Sequence, residues 1–176
     1  MHRARAILLI MAAISVGSAC GSGGSAAPKL ADPGAASIVR IVDGDTLVVH
    51  FASGGDDEKV RLIGIDTPET HGRGGLKECF GKEATDHLAR LLPIDTAVRV
   101  VRDVEARDRY GRLLAYLYRS SDGLFVNQAM AADGYADLLT YPPNVAHTED
   151  FRKAVARARE RDVGLWKACG NADKAI

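Results

Sequence analysis

The sequence lacks the features of a protein that binds anions through bulk charge. Lysine and arginine number 23 and aspartate and glutamate number 23, so the formal net charge is zero. A passive coat on nucleic acid is therefore disfavoured, and an anionic partner must be held by a local cluster. The five histidines are scattered without zinc-ligand spacing, which argues against a histidine metal site. A glycine-rich phosphate loop and a nucleophile elbow are also missing.

Long apolar runs are missing as well. The apolar run at residues 6–16 follows Arg3 and Arg5 and is too short to span a bilayer. Its layout is typical of a secretory signal, which we predict at residues 1–20. Ser18-Ala19-Cys20 at its end predicts a lipoprotein signal, with Cys20 lipidated. The alternative is ordinary cleavage near Ala27 and release. Either way the protein is expected to be exported, to the cell envelope or the extracellular space.

Cysteine is scarce, with three residues in the chain. If Cys20 carries lipid, Cys79 and Cys169 remain as an even pair in a compartment that permits disulfides. We therefore predict a bond between them, against the alternative of two unrelated thiols.

The remaining composition, with 47% apolar and 26% charged residues in 176, is that of an ordinary globular domain. Residues 21–36 are rich in Gly, Ser, Ala and Pro and predict a flexible tether. The domain is expected at 37–170, followed by a tail at 171–176.

Apolar periodicity predicts five short strands and three helices. The predicted strands are 37–42, 46–51, 59–65, 96–101 and 113–118. The predicted helices run from about 79 to Pro93, over 126–132, and from an N-cap at Thr148 to near Gly164. This order favours an α+β fold built on a small, partly open barrel of the OB type, which commonly binds nucleic acid.

The most informative stretch is the third predicted strand. From Arg61 near its start it continues through the apolar Leu62, Ile63 and Ile65, and it is followed by Asp66-Thr67-Pro68-Glu69. Two carboxylates just past a rigid strand offer hard oxygen ligands for a metal ion. Together with the arginine, they predict metal-assisted phosphate chemistry.

Three motifs in this order resemble the thermonuclease, or staphylococcal nuclease-like, family. They are Asp43-Gly44-Asp45-Thr46, Arg61 with Asp66-Thr67-Pro68-Glu69, and Asp108-Arg109-Tyr110-Gly111-Arg112. The resemblance covers about residues 37–170. It implies a five-stranded OB-fold barrel with three α-helices, Ca²⁺ dependence, and hydrolysis of phosphodiester bonds in DNA and RNA.

The resemblance also implies roles for the acids. Asp45, Asp66 and the backbone carbonyl of Thr67 match the metal ligands, and Asp43 would act in the outer shell through water. Irregular, partly water-filled oxygen shells suit calcium. Glu69 matches the general base, since a carboxylate near a bound phosphate can orient or deprotonate water. For Asp43 and Asp45, the alternative is ordinary turn chemistry.

Arginines and aromatics complete the implied site. Arg61 and Arg112 match the two residues that stabilise charge on the equatorial phosphate oxygens. Substrate contacts are implied for Arg109, Tyr110 and Tyr141. Leu139 stands at a position where a second tyrosine occurs in the family, so the resemblance implies a smaller stacking platform here.

The leading hypothesis is thus a calcium-dependent nuclease acting on DNA and RNA, with single strands preferred. It is expected to be a monomer that touches a membrane only through Cys20. One alternative is a catalytically silent OB module that binds nucleic acid or protein. Another is an envelope lipoprotein that uses the fold as a scaffold. A silent module is expected to have lost acids or arginines of the site, whereas Asp45, Arg61, Asp66, Glu69 and Arg112 are all present.

Overall fold

The computed structural model of the protein describes residues 34–70 and 77–170. Its strands are β1 (Gly34–Ile41), β2 (Thr46–Phe51), β3 (Glu58–Leu62), β4 (Gly64–Asp66), β5 (Ala97–Val101), β6 (Leu113–Arg119) and β7 (Asp137–Leu139). Its helices are α1 (Gly81–Leu91), α2 (Val126–Ala132), α3 (Thr148–Glu160) and α4 (Leu165–Ala168). The predicted signal with Cys20, most of the predicted tether and the tail lie outside the described residues. Among these helices, none is long and apolar enough to cross a membrane.

Five strands form a closed barrel in the order β1-β2-β3-β6-β5. Neighbours pair antiparallel except for β3 and β6, which pair in parallel. Alternating apolar residues fill the interior, including the fully buried Ile38, Leu47, Val60, Val98 and Leu117. The predicted five-stranded OB barrel is confirmed, and it is closed rather than partly open. Strand β1 begins at Gly34, so its first three residues lie within the stretch predicted as a tether.

The single strand predicted over 59–65 is wrong. The strand is interrupted at Gly64, whose φ of 84° lies in the left-handed region that residues with side chains disfavour. After this break β4 leaves the barrel and pairs antiparallel with β7, a short strand that the sequence did not predict. Asp66 therefore lies on a separate two-stranded sheet outside the barrel.

The helix predictions are confirmed for α1 and α2 and need correction for α3. Thr148 is the first helical residue, and His147 takes the N-cap position without a side-chain cap hydrogen bond. Glu149 and Asp150 lie in the first turn, where negative charge stabilises the helix dipole. The helix ends at Glu160, and the short α4 was not predicted.

The structure joins Cys79 to Cys169 by a disulfide across a sequence separation of 90 residues. The bond ties the segment before α1 to the residue after α4. In the chain-entropy account, a cross-link that closes a loop of this length stabilises the fold by about 4 kcal/mol.

We expect the double variant Cys79→Ser/Cys169→Ser to melt at a clearly lower temperature than the oxidised protein. Identical melting curves for the two would contradict the stabilising role.

Candidate active site

Asp45 lies immediately before β2 and is 3% exposed. Strand register places its neighbour Thr46 opposite Arg61 on β3. The Asp45 carboxylate accepts hydrogen bonds from the Thr67 amide at 3.0 Å and the Thr67 hydroxyl at 3.1 Å. Its other oxygen accepts the Thr46 hydroxyl at 3.0 Å. Asp45 therefore joins the barrel to the turn after β4, although these residues are 22 positions apart in the chain.

The Arg61 guanidinium joins the two carboxylates that were predicted as metal ligands. Nη1 lies 2.9 Å from Oδ2 of Asp45, and Nη2 lies 2.6 Å from Oδ1 of Asp66. Nη1 also donates to the carbonyls of Leu62 at 2.7 Å and Ile65 at 3.0 Å. Asp45 and Asp66, which belong to different sheets, thus converge on one cation.

The carboxyl groups of Asp45 and Asp66 are costly to ionise. Burial raises the pKa of Asp45 to about 7, although the Arg61 guanidinium lowers it. Burial also raises the pKa of Asp66, again against the effect of Arg61. The single charge of one guanidinium does not balance two ionised carboxylates, and a further cation is one way to compensate the remaining charge.

The donor set suits a hard cation. Within residues 34–70 and 77–170, no three His, Cys, Asp or Glu side chains gather closely enough to hold a metal ion by themselves. Two carboxylates and one backbone carbonyl are the predicted set, and all three offer hard oxygen donors. Asp43 accepts the amide of Asp45 at 3.1 Å, so it makes the turn contact that was its alternative interpretation.

Glu69 follows Pro68 at the end of the turn. Its side chain is exposed, and among the described residues its carboxylate makes no hydrogen bond or ion pair. Burial raises its pKa, and the nearby carboxylates of Asp43, Asp66 and Glu78 raise it further. Arg61 is the cation that opposes them. The predicted base therefore shares the electrostatic environment of the predicted metal ligands.

Arg112 is oriented by Asp108, a residue to which the sequence analysis gave no role. Oδ2 of Asp108 accepts Nε of Arg112 at 2.7 Å, and Oδ1 accepts the amides of Tyr110 at 2.9 Å and Arg112 at 3.0 Å. Burial raises the pKa of Asp108, but the hydrogen bonds from Arg112 outweigh it and hold the pKa below its usual value. The Asp-Arg-Tyr-Gly-Arg motif is thus a turn closed by its first residue.

A cleft of about 520 Å³ is lined by both arginines of the predicted site. Its lining includes the predicted residues Arg61, Arg109, Tyr110, Arg112, Leu139 and Tyr141. Tyr110 is 68% and Tyr141 72% exposed, so both rings are open to a ligand. Asp45, Asp66 and Glu69 are not part of this lining, but Asp45 and Asp66 contact its residue Arg61.

The loop that carries Tyr141 is held by buried polar residues that the sequence analysis missed. The Asn144 side chain accepts the Glu105 amide at 2.8 Å and donates to the Glu105 carbonyl at 3.1 Å. Asp103 accepts the Tyr116 hydroxyl at 2.8 Å and the Ala146 amide at 3.0 Å. A polar residue directly after Pro142-Pro143 was the available signal for Asn144.

The comparison with known proteins agrees with this geometry. The family model for the staphylococcal nuclease homologue matches residues 59–168, which include both arginines of the site and all of β3 except its first residue. The chain belongs to this family. It is 34% identical over 129 residues to a thermonuclease of Staphylococcus hyicus, covering 73% of each chain. It is 35% identical over 130 residues to a thermonuclease of Staphylococcus intermedius, covering 74% of each. Endonuclease YncB of Bacillus subtilis is 30% identical over 132 residues, which are 74% of this chain and 61% of that protein.

Proposed function

We propose that this staphylococcal nuclease homologue is a calcium-dependent nuclease that hydrolyses phosphodiester bonds in DNA and RNA. The observation that carries the proposal is the convergence of Asp45 and Asp66 on Arg61, beside a Glu69 carboxylate without a partner among the described residues. The relatives named thermonuclease and endonuclease support nuclease activity.

Asp45, Asp66 and the carbonyl of Thr67 would hold the calcium ion, with Asp43 acting through water. The excess of carboxylates over guanidinium groups around Glu69 supports this assignment, because a divalent cation compensates such charge. Calcium also accepts the incomplete oxygen shell that these residues offer. A calcium ion held there would supply Lewis-acid polarisation of a phosphoryl oxygen.

The protein's own groups then act on water and phosphate. Glu69 orients a water molecule and accepts its proton as the water oxygen forms a bond to phosphorus. The ester oxygen on the opposite side leaves with the electron pair of its bond and takes a proton from solvent. Arg61 and Arg112 stabilise the negative charge that develops on the equatorial oxygens, and Asp108 holds Arg112 in place.

Substrate binding is assigned to the cleft. Arg109 donates to the Tyr110 hydroxyl at 2.6 Å, so a cation and an exposed ring form one contact surface for a phosphate and its nucleotide. Tyr141 offers a second exposed ring on which a base can stack. Stacking requires an accessible base, which favours single strands. Leu139 contributes apolar contact but no hydroxyl group.

We also propose that the protein is exported and that it is a monomer. The disulfide between Cys79 and Cys169 supports an oxidising compartment outside the cytosol. Lipidation at Cys20 would attach the protein to the envelope, and cleavage near Ala27 would release it. The mass of the mature N-terminus distinguishes the two forms.

Digestion of single-stranded DNA tests the function. We expect cleavage with Ca²⁺, none with excess chelator, and a loss of about 10²–10⁴-fold in Glu69→Ala with Ca²⁺. Glu83→Ala, which removes an exposed carboxylate from α1, is the matched control and should keep full activity. Equal cleavage under all conditions would contradict the roles of Ca²⁺ and Glu69. No cleavage under any condition would contradict nuclease activity and favour a silent binding module.

A further inference from the structure

The segment before α1 holds the backbone of Glu69 from two directions. The amide of Glu69 donates to Oε2 of Glu78 at 2.9 Å. In return the amide of Glu78 donates to the carbonyl of Glu69 at 3.0 Å. Both polar backbone groups of Glu69 are therefore bound to one residue nine positions later. A hydrogen bond between a carboxylate and a backbone amide is charge-assisted and stronger than a neutral one.

The Glu78 end of this contact is itself anchored. The next residue, Cys79, is covalently joined to Cys169 beyond α4. Gly81 packs so closely that a β-carbon placed there would lie 2.6 Å from the carbonyl oxygen of Glu69. A support that is fixed covalently and by close packing can transmit a defined position to the turn it holds.

We propose that Glu78 is a positioning residue for Glu69. Its carboxylate fixes the backbone of Glu69, and this directs the Glu69 side chain toward Arg61 and the attacked phosphate. The inference rests on the proposed function, because it assumes that the Glu69 carboxylate acts on the water.

The geometry separates this role from that of a catalytic residue. The Oε2 atom of Glu78 is engaged by the amide of Glu69, so the contact supports the turn that carries the base. Misplacing a catalytic group by about 1 Å costs up to about 10²-fold in rate. The loss without Glu78 must also be smaller than the loss without Glu69 itself. Substrate contacts lie in the cleft lined by Tyr110 and Tyr141, so KM should not change.

Two substitutions at position 78 test the hydrogen bond apart from the charge. Glu78→Ala removes the acceptor, whereas Glu78→Gln removes the negative charge and keeps an oxygen that can accept the amide of Glu69. With Ca²⁺ and single-stranded DNA, we expect Glu78→Ala to lower kcat about 10–100-fold at unchanged KM. Glu78→Gln should restore most of kcat. Glu83→Ala serves as the control for loss of a carboxylate near this segment.

Amide hydrogen exchange at Glu69 provides a readout that does not depend on activity. The amide should be protected in the wild type and in Glu78→Gln, and it should exchange faster in Glu78→Ala. Wild-type kcat in Glu78→Ala, or equal losses in the Gln and Ala variants, would overturn the inference. The proposed function would still stand in that case, provided that Glu69→Ala is inactive. Full activity in Glu69→Ala would instead overturn the proposed base, and the positioning role with it.

Discussion

Replacing Arg61 by lysine is expected to lower DNA cleavage by about 10²–10³-fold and to lower the melting temperature as well. The guanidinium contacts two carboxylates through different nitrogens and also two backbone carbonyls. A lysine keeps the charge but is a single point donor that cannot reproduce this fork. Because Asp45 is buried, losing part of its compensation destabilises the fold as well as the site.

Arg112→Lys is the matched comparison. Arg112 contacts Asp108 through Nε, and the contact lies in a partly exposed turn rather than inside the barrel. We expect a similar loss of cleavage with little change in melting temperature. Steady-state kinetics and thermal unfolding of the two variants measure both effects. A stable and fully active Arg61→Lys protein would show that the bidentate contacts serve neither the fold nor the reaction.

Part of this fold and site could be predicted from the sequence, and part could not. The barrel strands follow from alternation of apolar residues, since the inner face of each strand must be apolar. The acids and arginines of the site follow from three motifs. The motifs do not show that Arg61 contacts Asp45 and Asp66 together, because that contact depends on how β3 and β4 diverge at Gly64.

The residues that hold the site residues in place could not be predicted from local sequence patterns either. Asp108 and Glu78 are common polar residues in turns, and their functions depend on which amide each one faces. Strand β7 was missed because three residues show no clear period, and its partner β4 lies more than 70 positions earlier in the chain. The barrel was therefore more predictable than the contacts that position the site.

Gly64 is the point at which the barrel strand turns toward the site. Its φ of 84° directs β4 out of the barrel and brings Asp66 back to Arg61. A β-carbon at this position would lie 2.0 Å from the ring of Phe151 on α3. That ring is fully buried, and it packs against Phe125 and Tyr116 at centroid distances of 5.6 Å and 6.1 Å. It therefore has little room to move away.

Gly64→Ala is accordingly expected to destabilise the fold by about 2–5 kcal/mol, the sum of left-handed backbone strain and overpacking. Gly123→Ala separates the two effects, because Gly123 has a φ of 72° and no heavy atom within 4 Å of an added β-carbon. That variant should lose only the strain, about 1–2 kcal/mol. Denaturant unfolding measures both values, and equal losses would show that the contact with Phe151 is unimportant. Because Gly64 lies two residues before Asp66, we also expect Gly64→Ala to lose cleavage at temperatures where it remains folded, whereas Gly123→Ala keeps it.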